Sequence, residues 1–371
     1  MILHDTVDKM YVAVAKELKQ NSNMIESRNG DTYEIHPHFY GSSDFTQYML
    51  TVKGRVINFP FALAELIWIM QGSESTWITN YNARMSNYVD EFVPGHFIFN
   101  AAYGHRLRYD YAIDQIENVI KHFQNSKNTR HAVMVMSHPL LDSATKQTKD
   151  RACNISSMYL IRDDKLDLTQ TARSHDFIWG LPYNLIQFGY ITQWVSERIG
   201  VKVGKIYELS NSLHVYRPMW KDVDNIKENI SMDGYDLTMP AIGRSTDHRT
   251  LASIEHMMRD LNISETLKEG KKDQDYLNIE RFYKKNIKPL DSEFWHDGLC
   301  VLLSYWVKHF PDISLSVLDW VKSDLFRFMA LRYYITYWRK KWGDIADGGL
   351  VYDYLKDKYD DSLVVDWLKE T

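Results

Sequence analysis

The stretch RSHDFIWGLPYN, residues 173–184, sets Arg, Ser, Asp and Asn among apolar and aromatic residues and then turns at Gly180-Leu181-Pro182. Polar groups in such company need partners, supplied by the fold or by a ligand. Arg173 and Ser174 offer a guanidinium fork and a hydroxyl, a donor set suited to a phosphate. Asn184 both donates and accepts, which suits the edge of a pyrimidine ring. Twenty positions upstream stands Cys153, one of two cysteines in 371 residues, with Arg151 two positions before the sulfur and Asn154 directly after it. Downstream, SLHVY at 212–216 puts His214 and Tyr216 two apart on a strand, hence on one face, where both can meet one ligand hydroxyl. Taken singly, each has a structural alternative: a buried thiol, a core histidine, a helix-capping Asn, an arginine in a buried ion pair.

The elements around these residues alternate. Helical spacing over 3–20 (Val7, Met10, Val14, Leu18), a buried-strand run HAVMVMS at 131–137 and a hairpin turning at Arg162-Asp163-Asp164 directly after Cys153 are all readable. Pro182 near the start and Gly200 after the end bracket a helix, and 206–216 reads as one further strand. Past about residue 217 the chain turns polar and then helical, at roughly 249–262, 291–309 and 315–342. This predicts an α/β (α+β) catalytic domain over 1–245 and a helical C-terminal extension over 246–371. The segment DLFRFMALRYYITYWRKKW interleaves aromatics with Arg327, Arg332, Arg339, Lys340 and Lys341; a core helix with a solvated basic edge is the plain reading, a nucleic-acid or partner surface the other.

Composition narrows the classes. A hydrophobic fraction of 44% supplies a sizeable core, and a net charge of −5 with mixed signs leaves no global basic field, so nucleic-acid binding is not expected. Two cysteines 147 positions apart predict no disulfide framework, and the charged opening segment has no signal-peptide core, which points to a reducing, cytoplasmic setting. The run FPFALAELIWIM is interrupted by Glu65 and falls short of the ~20 apolar residues a membrane span needs. No metal site is expected.

A cysteine, then twenty positions to Arg-Ser-x-Asp-x-x-x-Gly-Leu-Pro-aromatic-Asn, then His-x-Tyr, resembles the thymidylate synthase superfamily, which includes the pyrimidine nucleotide hydroxymethylases. The likeness extends to SRNGDTYEI at 27–35, AELIWIMQG at 64–72, AAYGHRLR at 101–108 and NTRHAV at 128–133. It implies a mixed sheet with flanking helices and a dimer built on the sheet's outer face. It also implies that Cys153, its pKa lowered by arginine charge, adds to C6 of a pyrimidine nucleotide monophosphate, and that C5 takes the one-carbon unit of the cosubstrate 5,10-methylenetetrahydrofolate. Glu65 and Tyr103 would anchor the water network that removes the C5 proton. Arg28, Arg173 and Ser174 would bind the phosphate, with Arg130 reaching it from the other subunit. By the same resemblance His214 and Tyr216 hold the sugar hydroxyl, Asn184 reads the base, with Asn accompanying uracil and Asp cytosine, and Asp176 meets the pterin.

The pattern departs in four places. Pro-Cys-His is replaced by Ala152-Cys153-Asn154, the paired arginines by Arg130-His131, and the tryptophan segment Ile-Trp-x-x-Trp has no counterpart in NYNARMSNYVDE at 80–91, though Trp77 lies close by. The chain also runs on for about 150 residues past His-x-Tyr. In the synthases of that family the tryptophan and a closing C-terminal tail screen from water the exocyclic methylene left on C5, so the resemblance, with both altered here, implies hydroxymethylation of deoxyuridylate before ordinary thymidylate synthesis. A cytidylate hydroxymethylase and an inactive binding scaffold are the remaining alternatives. The resemblance implies a cytoplasmic enzyme, in the host cytoplasm if viral. Covering the folate cleft and stabilising the dimer are two roles open to the extension.

Overall fold

The computed structural model describes residues 3–142, 148–228, 235–260, 272–342 and 350–359, leaving aside the side chains of 259–260, 272–275, 339–342 and 350–352. The chain divides into two compact units, Met1–Arg55 with Ala64–Glu228, and Val56–Leu63 with Asn229–Thr371.

The first unit holds two mixed sheets. Its strands are β1 (Leu3–His4), β2 (Asn23–Ser27), β3 (Gly30–Ile35), β4 (His38–Ser42), β5 (Asp90–Val93), β6 (His96–Ile98), β7 (Val133–Val135), β8 (Asn154–Arg162), β9 (Lys165–Ala172), β10 (His175–Asp176), β11 (Lys202–Ser210) and β12 (Leu213–Tyr216). The larger sheet runs β1-β4-β11-β9-β8-β7, the smaller β10-β12-β3-β2, and β5 pairs with β6 alone. Parallel β9/β11 and antiparallel β8/β9 make the large sheet mixed, as expected.

Local chemistry explains the elements that carry the site. Helix α1 (Val7–Asn21) starts where Thr6 accepts from the backbone N–H of Lys9 at 3.2 Å, and it buries Val7, Met10, Val14 and Leu18 as their spacing predicts. The β8–β9 hairpin turns through Asp163 and Asp164, both left-handed at φ 53° and 54°, the geometry of a two-residue hairpin loop that matches strand twist. Its register slips between Asn154 and Ser156, a bulge immediately after Cys153. Helix α2 (Phe59–Met70) is almost wholly apolar, and α3 (Gln115–Asn125) is capped by Asp114. Helix α4 (Leu181–Ile199) opens with Pro182 and stops at Gly200, whose φ of 75° accommodates the left-handed cap.

Several expectations are corrected. The 206–216 strand is two, in different sheets, because Asn211-Ser212 breaks the run and Leu213 begins a new pairing with Ile35. The 131–137 run is not buried throughout: Met134 and Met136 face the core while Val133 and Val135 stand 39% exposed on the other face of the sheet. The 315–342 helix is broken as well.

In the second unit, α5 (His248–Asp260), α6 (Lys272–Phe282), α7 (Glu293–Trp306), α8 (Pro311–Leu318), α9 (Asp324–Trp342) and α10 (Leu350–Lys358) follow one another. Helix α7 is buried on every side. Asp297 captures the backbone N–H groups of Lys322 (3.1 Å) and Ser323 (2.6 Å), which ends the 315–342 run and starts α9 afresh. Arg327 donates to the carbonyls of Leu318 (3.5 Å) and Val321, and Arg332 is buried over the Phe328 ring, so these two arginines serve the core of the helical unit. The side chains of Arg339, Lys340 and Lys341 lie outside the described residues. Among the described residues no helix is long and apolar enough to cross a membrane.

Candidate active site

Cys153 sits on the loop entering β8, half-buried, at the bulge. Arg173, at the end of the partner strand, crosses back to it: Nε donates to the carbonyl of Ala152 at 2.7 Å and Nη2 to that of Arg151 at 3.3 Å, which leaves Nη2 3.8 Å from the Cys153 sulfur. The hairpin register explains the twenty-residue spacing, since the backbone N–H of Arg173 reaches the Cys153 carbonyl at 2.9 Å. The expectation of a lowered thiol pKa is not met. Burial raises it, aided by Asp150, Asp176 and Asp142, and the Arg173 charge offsets this only in part. Burial and charge thus oppose each other at the sulfur.

Five side chains beside the sulfur form one hydrogen-bonded chain. The Tyr103 oxygen accepts from the backbone N–H groups of Cys153 and Asn154, each at 3.2 Å, and from Asn154 Nδ2 at 3.1 Å. Asn154 Nδ2 also reaches Asn184 Oδ1 at 3.1 Å; Asn184 Nδ2 donates to Gln187 Oε1 at 2.9 Å, and Gln187 Nε2 to Glu65 Oε2 at 2.6 Å. Three N–H groups on one phenolic oxygen leave the Tyr103 proton to point elsewhere and would steady negative charge there, against the burial that raises its pKa. Burial brings Glu65 from 4.5 up to about 7, the Gln187 bond opposing it, so this carboxyl exchanges a proton near neutrality.

On the small sheet Asp176 pairs in register with His214, and the rings of His214 and Tyr216 meet edge to face at 5.4 Å. Asp176 Oδ1 takes the backbone N–H groups of Ile178 (2.8 Å) and Trp179 (2.7 Å), leaving Oδ2 without a partner among the described residues. Burial raises its pKa. Beside it the Trp179 ring, part exposed, lies 4.3 Å from the Arg84 guanidinium. A free, partly desolvated carboxylate oxygen next to an open indole fits the N–H edge and flat ring of a pterin.

Arg28 is exposed in the β2–β3 turn, Arg130 is exposed just before β7, and neither their side chains nor that of Ser174 hydrogen-bond within the described residues. The structure joins Cys153, Arg173, Tyr103, Asn184 and Glu65, and places Asp176, paired in register with His214, near enough for its charge to act on the Cys153 thiol. Sequence reasoning passed over Gln187, which stands one helical turn beyond Asn184 on the same face, and over His175 and Gln170, which fix Asn184 and Asn154. From the 80–91 segment comes Tyr88, whose hydroxyl pKa is raised by burial and by its neighbours Tyr216, Asp176 and Cys153. No group of three His, Cys, Asp or Glu able to hold a metal ion occurs among the described residues.

A thiol under a guanidinium, a buried proton-exchanging carboxyl and a buried amide linked to both define a class, and comparison agrees with it: residues 9–268 match the thymidylate synthase family model. The chain belongs to the thymidylate synthase family. It is 29% identical over 324 residues to the deoxyuridylate hydroxymethyltransferase of Bacillus phage SP01, covering 83% of this chain and 81% of that one. It is 30% identical over 166 residues to the deoxyuridylate hydroxymethyltransferase of Pseudomonas phage M6, covering 44% of this chain and 46% of that one. A "Putative thymidylate synthase" of Methanococcoides burtonii is 32% identical over 160 residues, 42% of this chain and 71% of its own length.

Proposed function

We propose that the protein converts deoxyuridylate to 5-hydroxymethyldeoxyuridylate. The observation that carries the reading is Cys153 held 3.8 Å from the Arg173 guanidinium beside the unbroken chain from Tyr103 to Glu65. The resemblance to the two phage deoxyuridylate hydroxymethyltransferases and the Tyr88 hydroxyl from the 80–91 segment favour a hydroxymethyl over a methyl product.

In this reading the Cys153 thiolate adds to C6 and turns C5 into a nucleophile, while Asn184 meets the base edge. Methylenetetrahydrofolate, lying against Asp176, supplies the one-carbon unit to C5 and departs as tetrahydrofolate. Glu65, through water bound near Tyr103, takes the C5 proton. Water passing Tyr88 adds to the methylene left on the ring, and expulsion of Cys153 restores the C5–C6 double bond; nucleotide, methylenetetrahydrofolate and one water balance 5-hydroxymethyl nucleotide and tetrahydrofolate. Arg28, Arg173 and Ser174 take the 5′-phosphate, and His214 with Tyr216 the 3′-hydroxyl.

The same reading makes the enzyme a cytoplasmic homodimer whose Arg130 completes the neighbour's phosphate site, with a catalytic domain over 1–245 and a helical extension over 246–371. Register supports the dimer: Phe39, Leu209, Thr171, Ser156 and Val135 follow one another across one face of the large sheet, with Met158 and Val133 beside them, and its large apolar members are 37–41% exposed. Incubation with 5-fluorodeoxyuridylate and methylenetetrahydrofolate tests the chemistry. A stable ternary adduct on the Cys153 peptide, absent from Cys153→Ala, is expected; no adduct on the folded wild-type protein would overturn the proposal.

A further inference from the structure

Position 175 is the one the Arg-Ser-x-Asp pattern leaves open, and here it is a histidine that is 1% exposed. Its Nε2 lies 3.0 Å from Asn184 Oδ1, while Nδ1 faces two hydroxyls, Ser210 Oγ at 3.0 Å and Tyr40 Oη at 3.2 Å. An amide oxygen only accepts, so Nε2 carries the proton and Nδ1 accepts from a hydroxyl. Burial brings the imidazole down to about 4, which keeps it neutral with a single N–H. Asn154 Nδ2 donates to the same Asn184 oxygen, and its own amide is held by Gln170 at 2.9 Å, in turn held by Ser157 at 2.5 Å. Both lone pairs of Asn184 Oδ1 are thus taken. One of its two Nδ2 protons goes to Gln187.

We propose that His175 is a specificity-determining positioning residue: by locking the Asn184 amide it leaves one N–H to face the base, which selects a C4 carbonyl over a C4 amino group. A carbonyl accepts that proton; an exocyclic amine meets it donor against donor. The proposal rests on Asn184 reading the base.

The test is kcat/KM for deoxyuridylate and for deoxycytidylate in the full-length enzyme. His175→Leu removes the donor and should cut the preference for deoxyuridylate by about tenfold or more, mainly through a raised KM, whereas His175→Gln, whose amide reaches Asn184, should restore most of it. If the leucine variant does not fold, His175→Asn serves, since it meets Ser210 but falls short of Asn184. Asn184→Asp is the control. Unchanged preference on removing the donor, with Asn184→Asp altering base choice, overturns the role of His175 alone; if Asn184→Asp also leaves base choice unchanged, the assignment of Asn184 falls with it.

Discussion

At Glu65 burial and chemistry act on one proton. The folded carboxyl, at about 7, holds it more tightly than an unfolded one at 4.5, so folding gains most below 4.5 and loses that contribution as pH rises through about 7. The full difference is about 3 kcal/mol. Glu65→Gln should therefore raise the melting temperature near pH 8.5 and change it little near pH 4.5, while turnover falls by about a hundredfold or more. Paired thermal melts and steady-state rates check this; equal stabilisation at both pH values would contradict it. In the wild type, kcat/KM should rise with pH through about 7 as Glu65 ionises. The site residues Cys153, Arg173 and Asn184 were legible because hairpin and helix convert fixed sequence spacings into contacts. The thiol's raised pKa was not, because burial, its largest cause, is set by tertiary packing rather than by neighbouring residues in the sequence.

Among the elements, the β8–β9 turn and the Tyr103 segment make separate demands on the backbone. Asp163 and Asp164 hold left-handed conformations that cost an aspartate more than a glycine. Asp164→Gly should stabilise the protein by about 0.5 to 1 kcal/mol in urea unfolding and leave kcat unchanged, since the turn lies at the end of the hairpin away from Cys153. Gly104 is the opposite case, because a Cβ there would come within 2.2 Å of the Ile69 carbonyl on α2, the helix that carries Glu65. Gly104→Ala should cost about 1 to 3 kcal/mol of stability and displace Tyr103, lowering kcat well beyond the loss of folded protein. Unchanged unfolding and turnover would contradict that close approach. Turn chemistry made the hairpin readable in advance. Periodicity ran through the breaks at Asn211-Ser212 and before Ser323, because a change of sheet and a cap from Asp297 are tertiary facts.

At the scale of the whole molecule, the exposed apolar face of the large sheet and Arg130, whose side chain is exposed and has no hydrogen bond among the described residues, belong to one argument. If Arg130 serves the neighbouring site, mixing inactive Arg130→Ala with inactive Cys153→Ala and allowing subunits to exchange should recover about a quarter of wild-type activity, from the one intact site in each mixed dimer. No recovery despite demonstrated exchange would make Arg130 irrelevant to its neighbour. Val135→Asp, on the same face, should yield monomers in sedimentation velocity and abolish turnover. The fold class was legible through the motif spacing, whereas Val133 and Val135 show their exposure only once β7 is set in its sheet. The most direct measurement is mass analysis of the nucleotide formed from deoxyuridylate and methylenetetrahydrofolate in 18O-labelled water. The account predicts 5-hydroxymethyldeoxyuridylate carrying the label, with tetrahydrofolate; thymidylate with dihydrofolate would contradict it.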